Sequence, residues 1–295
     1  MRMLITGATG QVGTALLQQV PLGIEAIGLR SDELDITQPE AVEACIARLR
    51  PQAVINAAAY TAVDKAESEV SSAWAVNRDG VFNLAVAAQA LGIPLFHLST
   101  DYVFSGNAVQ PYQEEDVTDP VGVYGQSKLA GEEVLFKHCS RSLVLRTSWV
   151  FSAHGNNFVK TMLRLAKDRD QLSIVADQQG GPTSAVSIAN ALWQLVQRYH
   201  AENTLPWGIY HFSGAPDCSW YTFAQEIFTQ AKILGLLERV PELKPIATED
   251  YPTPAKRPAW SVLDCSTLAA QLDIEVPQWQ DDLREVLSHL KSHQA

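Results

Sequence analysis

The chain has 295 residues, 46% hydrophobic and 19% charged, which is material for one large domain or two interleaved ones. Its 22 basic against 33 acidic residues leave a net charge of −11, which speaks for solubility and against nucleic acid as a partner. Cys45, Cys139, Cys218 and Cys265 are too scattered for a metal-ligand spacing, no apolar run approaches the roughly 18 residues of a membrane span, and no leader precedes the first strand, so a cytoplasmic protein is expected.

Arg2 to Thr6 reads as a short apolar strand, followed by TGATGQVG (Thr6 to Gly13) and an apolar-periodic helix through Leu16, Leu17 and Val20. Gly7, Gly10 and Gly13 fall three apart. In a dinucleotide-binding turn the first takes the tight bend and the second lets the backbone approach a pyrophosphate. The third lets the helix pack on its strand, with the helix N-terminus toward the phosphates. A glycine triplet alone is weak evidence; its place between a strand and a helix strengthens it.

The next strand, Glu25 to Leu29, ends in Arg30, Ser31 and Asp32. A dinucleotide site selects its cofactor at this strand end. Arg30 suits the 2′-phosphate of NADPH, Asp32 leaves NADH open, and an exposed Arg30 with no ligand is the competing reading. Asp35 and Ile36 begin a short loop, where the aspartate either approaches the adenine amino group or simply precedes the helix from Pro39 to Leu49. The strand Ala53 to Asn56 runs into NAAAY (Asn56 to Tyr60), small side chains that admit a flat ligand. TAVDKAESE then enters a helix expected to continue through Trp74, Asn77 and Leu84 to Ala90. Asn77 lies among apolar residues there, either at the surface or as an amide that bends the helix and orients water near the site.

Strands and helices alternating at this spacing, with no polar alternation in the strands, predict an α/β fold: a doubly wound parallel sheet, Rossmann-like. Leu143 to Val150 adds a strand, and then the rhythm changes. Helices are expected after GNNF (Gly155 to Phe158), over Ala185 to Tyr199, over Ser219 to Leu234 and over Gln278 to Lys291. Strands are expected in LSIVADQQ and over Gly208 to Ser213, with a proline-punctuated loop from Tyr251 to Ser261. The expected division is a nucleotide-binding part over 1–150 and, over 151–295, a smaller substrate lobe partly interleaved with it.

Ser99 to Lys128 carries the most chemistry. It follows the apolar strand Ile93 to Leu98 and closes on Tyr124 and Lys128, which a helix over Gly122 to Lys137 puts on one face, a turn apart. An ammonium beside a phenol favours the phenolate, and a shift of roughly three units from the usual value of about 10 is about 4 kcal/mol. A phenol poised near neutral pH can donate a proton to a carbonyl oxygen, with Thr100 at the strand end holding that oxygen or the phenol. The competing reading is a solvated Tyr–Lys pair of the kind many helices carry.

TGATGQVG, Thr100 and Tyr124-Gly-Gln-Ser-Lys128 stand in the order and spacing of the extended short-chain dehydrogenase/reductases. NAAAYTAVDKAE, STDYVFSG, VYGQSKLAGE, LRTSWVF, GNNFVKTMLRLAK, DQQGGPTSA and YPTPAKRP resemble one family within them, the dTDP-4-dehydrorhamnose reductases, over nearly the whole chain. The resemblance implies NADPH-dependent reduction of the C4 carbonyl of dTDP-4-dehydro-L-rhamnose to dTDP-L-rhamnose, a precursor of cell-surface polysaccharide. Tyr124 would be the general acid, Lys128 would lower its pKa and hold the nicotinamide ribose, and Thr100 would bind the reacting oxygen. Asp101 and Trp149 would touch the sugar, although Trp149 equally suits a core or lid aromatic. Gly10, Gln11 and Val12 would lie under the pyrophosphate, with Gly7, Arg30, Asp35, Ile36, Ala59, Tyr60, Thr61 and Leu98 elsewhere along the cofactor. Arg257, near two prolines, suits a diphosphate clamp or a surface arginine.

Members of this family are described as magnesium-dependent, with glutamates bridging a homodimer. Here no carboxylate cluster has ligand spacing, and the helix around Val186 to Ala191 is apolar or small. No metal ligand is therefore assigned, and a homodimer is left open. The alternatives are another nucleotide-sugar reductase or epimerase and, in a different class, a non-catalytic NADP-binding regulatory subunit like that of methionine adenosyltransferase. Intact Thr100, Tyr124 and Lys128 argue against the second.

Overall fold

A computed structural model describes residues 1–293, with six parallel strands at its centre. In chain order the strands are β1 (Arg2–Thr6), β2 (Glu25–Leu29), β3 (Ala53–Asn56), β4 (Leu95–Thr100), β5 (Ser142–Thr147), β6 (Val150–Phe151), β7 (Gln171–Val175), β8 (Gln179–Gly180), β9 (Thr183–Ser184), β10 (Gly208–His211), β11 (Cys218–Ser219) and β12 (Glu242–Ile246). The central sheet runs β10-β5-β4-β3-β1-β2, and every neighbouring pair in it is parallel. The fold is α/β, with the helices α1 (Gln11–Gln18), α2 (Pro39–Leu49), α3 (Val63–Ala66), α4 (Val70–Trp74), α5 (Gly80–Leu91), α6 (Val123–His138), α7 (Phe158–Asp168), α8 (Ala185–Glu202), α9 (Trp220–Ile233), α10 (Ser266–Leu272) and α11 (Trp279–Ser292).

Both faces of the central sheet are covered, which is why its strands read as unbroken apolar runs. Met3, Ile5, Ile55 and Phe96 pack against Leu16 of α1 and Ala189, Leu192 and Val196 of α8. On the other face Leu4, Val54, Leu95 and Val144 meet Val42 of α2 and Leu84 and Ala88 of α5. Two of these pieces, α8 and β10, come from late in the chain. A separate core of Phe151, Met162, Phe223, Phe228, Trp279 and Leu283 unites α7, α9 and α11.

The glycine turn is tight. Gly7 sits at φ +72°, and a methyl group there would lie 2.5 Å from the Ala58 nitrogen; one on Gly13 would lie 2.1 Å from the Gly7 oxygen. The continuous helix expected from residue 63 to 90 is instead α3, α4, one π turn over Ala75–Asp79, and α5. Asn77 is the reason. Buried in the π turn, it accepts from the Tyr60 N–H at 2.9 Å and donates to the Tyr60 carbonyl and to Ser127 Oγ, each at 3.0 Å. It is not a surface residue, and the helix departs from α geometry around it. No described helix is long and apolar enough to cross a membrane.

Candidate active site

Gly122 is the N-cap residue of α6, and the first helical N–H, that of Val123, is taken by Glu67 Oε1 at 2.9 Å. A residue far back in the chain thus caps the helix that carries Tyr124 and Lys128. Facing this end, β4 closes on Thr100, which caps a short turn: Oγ1 accepts from the Tyr102 N–H at 3.2 Å and donates to Asp101 Oδ1 at 2.9 Å. Tyr102 meets Tyr124 edge-on, with ring centroids 5.6 Å apart.

Tyr124 is half-buried. Burial first, then the charge of Asp101, lifts its phenol above the usual tyrosine range, and the Thr100 hydroxyl opposes that rise. Lys128 is 2% exposed, and burial pushes its ammonium down to about 8, against the pull of Glu132. Its amine donates to the Leu98 carbonyl at 2.6 Å and meets His97 Nε2 at 3.3 Å. No hydrogen bond joins it to Tyr124, so the expected ammonium–phenol pair, and a phenol lowered by it, are not formed here. A buried amine takes the nearest acceptor, and β4 supplies one. Asp101 is 2% exposed, its Oδ2 has no partner, and burial pushes its carboxyl up to about 6.

Trp149 forms one wall beyond β5. Its backbone is left-handed at φ +45°, and its indole stacks on Trp220 with centroids 3.5 Å apart and planes at 7°. A methyl group on Gly180 would lie 2.5 Å from that indole, so the wall needs glycine beneath it. Arg257 is not free for a diphosphate in this state: it pairs with Asp64 Oδ2 at 2.7 Å and donates to the Tyr102 hydroxyl at 3.1 Å. Trp220, Gly180, Glu67, His97 and Asp64 were not singled out from sequence, because each acts through a residue distant in the chain.

In the glycine turn Gly10 precedes α1, which has no side-chain cap; a methyl on Gly10 would contact only the Gly7 oxygen, at 3.3 Å. Open backbone N–H groups at a helix N-terminus fit the diphosphate of a dinucleotide. Val12 is buried, and the Gln11 side chain accepts from Asn157 at 2.8 Å, linking α1 to the second half of the chain. Arg30 is half-exposed and lies against Asp32, at 2.6 Å, and Glu33. Asp35 is exposed, with its carboxylate held by Thr37, and the Ile36 side chain is in the core, so any cofactor contact by Ile36 is through its backbone. Ala59 and Tyr60 are half-buried and Thr61 exposed in the segment after β3. Among the described residues no three His, Cys, Asp or Glu side chains are grouped to hold a metal ion.

A family model described as the RmlD substrate binding domain matches residues 1–292. The dTDP-4-dehydrorhamnose reductase of Aggregatibacter actinomycetemcomitans is 48% identical over 290 residues, 98% of this chain and 99% of that protein. A crystal structure of a dTDP-4-dehydrorhamnose reductase from Clostridium acetobutylicum superposes with a TM-score of 0.92 at 38% identity, covering 99% of this chain and 100% of that one. The Bacillus anthracis dTDP-4-dehydrorhamnose reductase, solved in complex with NADP, gives a TM-score of 0.90 at 35% identity over 98% of this chain and 99% of its own. With sequence and fold alike over nearly its full length, this chain belongs to the dTDP-4-dehydrorhamnose reductase family.

Proposed function

We propose that the protein is an NADPH-dependent reductase that converts the C4 carbonyl of dTDP-4-dehydro-L-rhamnose to the alcohol of dTDP-L-rhamnose. The observation that carries the reading is the convergence of Thr100, Tyr124 and Lys128 at the end of β4 in a chain 48% identical to a reductase of that name. The nicotinamide supplies the hydride when bound. Tyr124 is the acid for the carbonyl oxygen, and burial keeps its phenol protonated, the form that a reduction needs. Thr100 sets its hydroxyl beside the same oxygen and orients Asp101, whose partnerless Oδ2 suits a sugar hydroxyl. Lys128 meets the nicotinamide ribose by giving up its bond to Leu98, and the Trp149–Trp220 stack walls the sugar. Gly7, Gly10, Gln11 and Val12 cradle the diphosphate, and Arg30, released from Asp32, reads the 2′-phosphate.

In this reading residues 1–150 bind cofactor and 151–295 mainly bind substrate, apart from α8 and β10, which complete the first part. The protein works in the cytoplasm on a nucleotide-sugar partner. A homodimer is compatible with this, and sedimentation of the purified chain tests it. The direct test is NADPH oxidation with dTDP-4-dehydro-L-rhamnose made in situ, with and without EDTA. Turnover resistant to EDTA is expected. Turnover lost to EDTA restores a metal, and no turnover with NADPH still bound moves the activity to another sugar nucleotide.

A further inference from the structure

Across the sheet face covered by α2, α5 and α6 runs a row of polar side chains with no access to solvent. Thr6, Asn56 and His97 stand in matched register on β1, β3 and β4, each at most 1% exposed. Thr6 Oγ1 donates to Asn56 Oδ1 at 2.6 Å, the Asn56 amide meets His97 Nδ1 at 3.0 Å, and His97 Nε2 faces the Lys128 amine at 3.3 Å. The row joins the strand that feeds the glycine turn to a site residue on α6. Neighbouring positions on this face are Leu4, Val54 and Leu95, so packing alone would be served by apolar residues.

The partners fix the hydrogens. The Ala58 N–H, which can only donate, points at Asn56 Oδ1 at 3.1 Å, so the NH2 end of that amide faces His97. Nδ1 of His97 must then accept, and the one hydrogen of the neutral ring sits on Nε2. Turning the amide over would set its NH2 against the Ala58 N–H and break that hydrogen bond, while the Thr6 hydroxyl would have to reverse from donor to acceptor. Burial first, then the charge of Lys128, holds the imidazole well below the usual histidine range, so the ring is neutral. An Nε2–H can donate to the lone pair of an amine and is repelled by an ammonium. Another charged group acts on Lys128 as well: Glu132 on its own helix, itself held by Arg146 of β5.

We propose that His97 is a positioning residue that acts through Lys128: held by Asn56 with its hydrogen on Nε2, it directs the Lys128 amine and weakens that amine's hold on a proton. The inference rests on Lys128 working at the nicotinamide end, and it extends the site to three residues that touch neither substrate nor cofactor.

Two measurements test it on the full chain loaded with NADPH. Long-range nitrogen NMR of histidine-labelled protein, with His97→Gln identifying the resonance, reads the tautomer without any turnover. The Nε2–H form, uncharged through neutral pH, is expected; an Nδ1–H or charged ring overturns the proposal. The second follows the side-chain resonances of Lys128 through a pH titration. His97→Gln offers the amine a carbonyl, and Asn56→Asp draws the ring hydrogen to Nδ1, leaving Nε2 as an acceptor. Each variant is expected to raise the Lys128 midpoint by about one pH unit and to move the matching limb of the pH–kcat/KM profile with it. Midpoints unchanged in both soluble variants overturn the proposal. A protein that fails to reduce this sugar leaves both spectra standing, so the proposed function and this inference fail separately.

Discussion

In the proposed reduction Tyr124 gives up its proton from a place that holds it tightly, and the Thr100 hydroxyl is the group beside it that eases the release. Tyr124→Phe removes the donor and little volume, so kcat is expected to fall roughly 10² to 10⁴-fold, the usual range for a general acid, while NADPH affinity by fluorescence titration stays within error. A near-normal kcat refutes the assignment. Asp101 carries a sign that can be checked. Its carboxyl titrates at about 6 folded against an ordinary value of 3.8, so the folded state holds this proton more tightly than the unfolded chain does. The favourable contribution is fully present below the unfolded value and is lost as pH rises through about 6. At neutral pH the ionised group is worse off by about 3 kcal/mol. Asp101→Asn, uncharged throughout, is expected to gain stability over the parent at neutral pH by up to that amount relative to pH 4. Denaturant unfolding at both pH values reads the difference; equal effects at both would show that the charge is not the cause.

At the scale of elements, the glycine turn, the strand–helix alternation and α6 were legible because each depends on residue types at short, fixed spacing. The partners of those elements were not. Thr6, Asn56 and His97 lie 50 and 41 residues apart along the chain and meet only through parallel pairing, which leaves no local pattern. The pairing of Arg257 with Asp64 spans 193 residues and was invisible for the same reason. Asn77 was ambiguous because a single π turn has no periodic signature, and only the fold shows that its amide serves the Tyr60 backbone. Asn77→Leu strands that buried N–H and C=O, so a loss of about 2–4 kcal/mol in urea unfolding is expected. A loss under about 0.5 kcal/mol would mean that water replaces the amide.

Taken whole, the molecule closes on itself through contacts between its ends. The sheet is finished by β10, Trp193 of α8 donates to the Leu16 carbonyl at 3.1 Å, and Gln11 is held by Asn157. Against these buried links, the Arg257–Asp64 pair is the loose one, with side chains 26% and 40% exposed. Backbone hydrogen bonds of Ala259 and Ser261 with Gln179, and of Trp260 with Gly106, anchor the end of the loop from residue 251 to 261, and the Arg257–Asp64 pair is the attachment that dissolved ions can screen; the Debye length falls from about 10 Å at 0.1 M salt to about 3 Å at 1 M. Lys256, the exposed neighbour of Arg257, makes this visible as a tryptic cut. In the parent chain the cut is expected to quicken with salt, and in Asp64→Asn to be fast at every salt concentration. Electrolyte thus sets how firmly Arg257 grips α3.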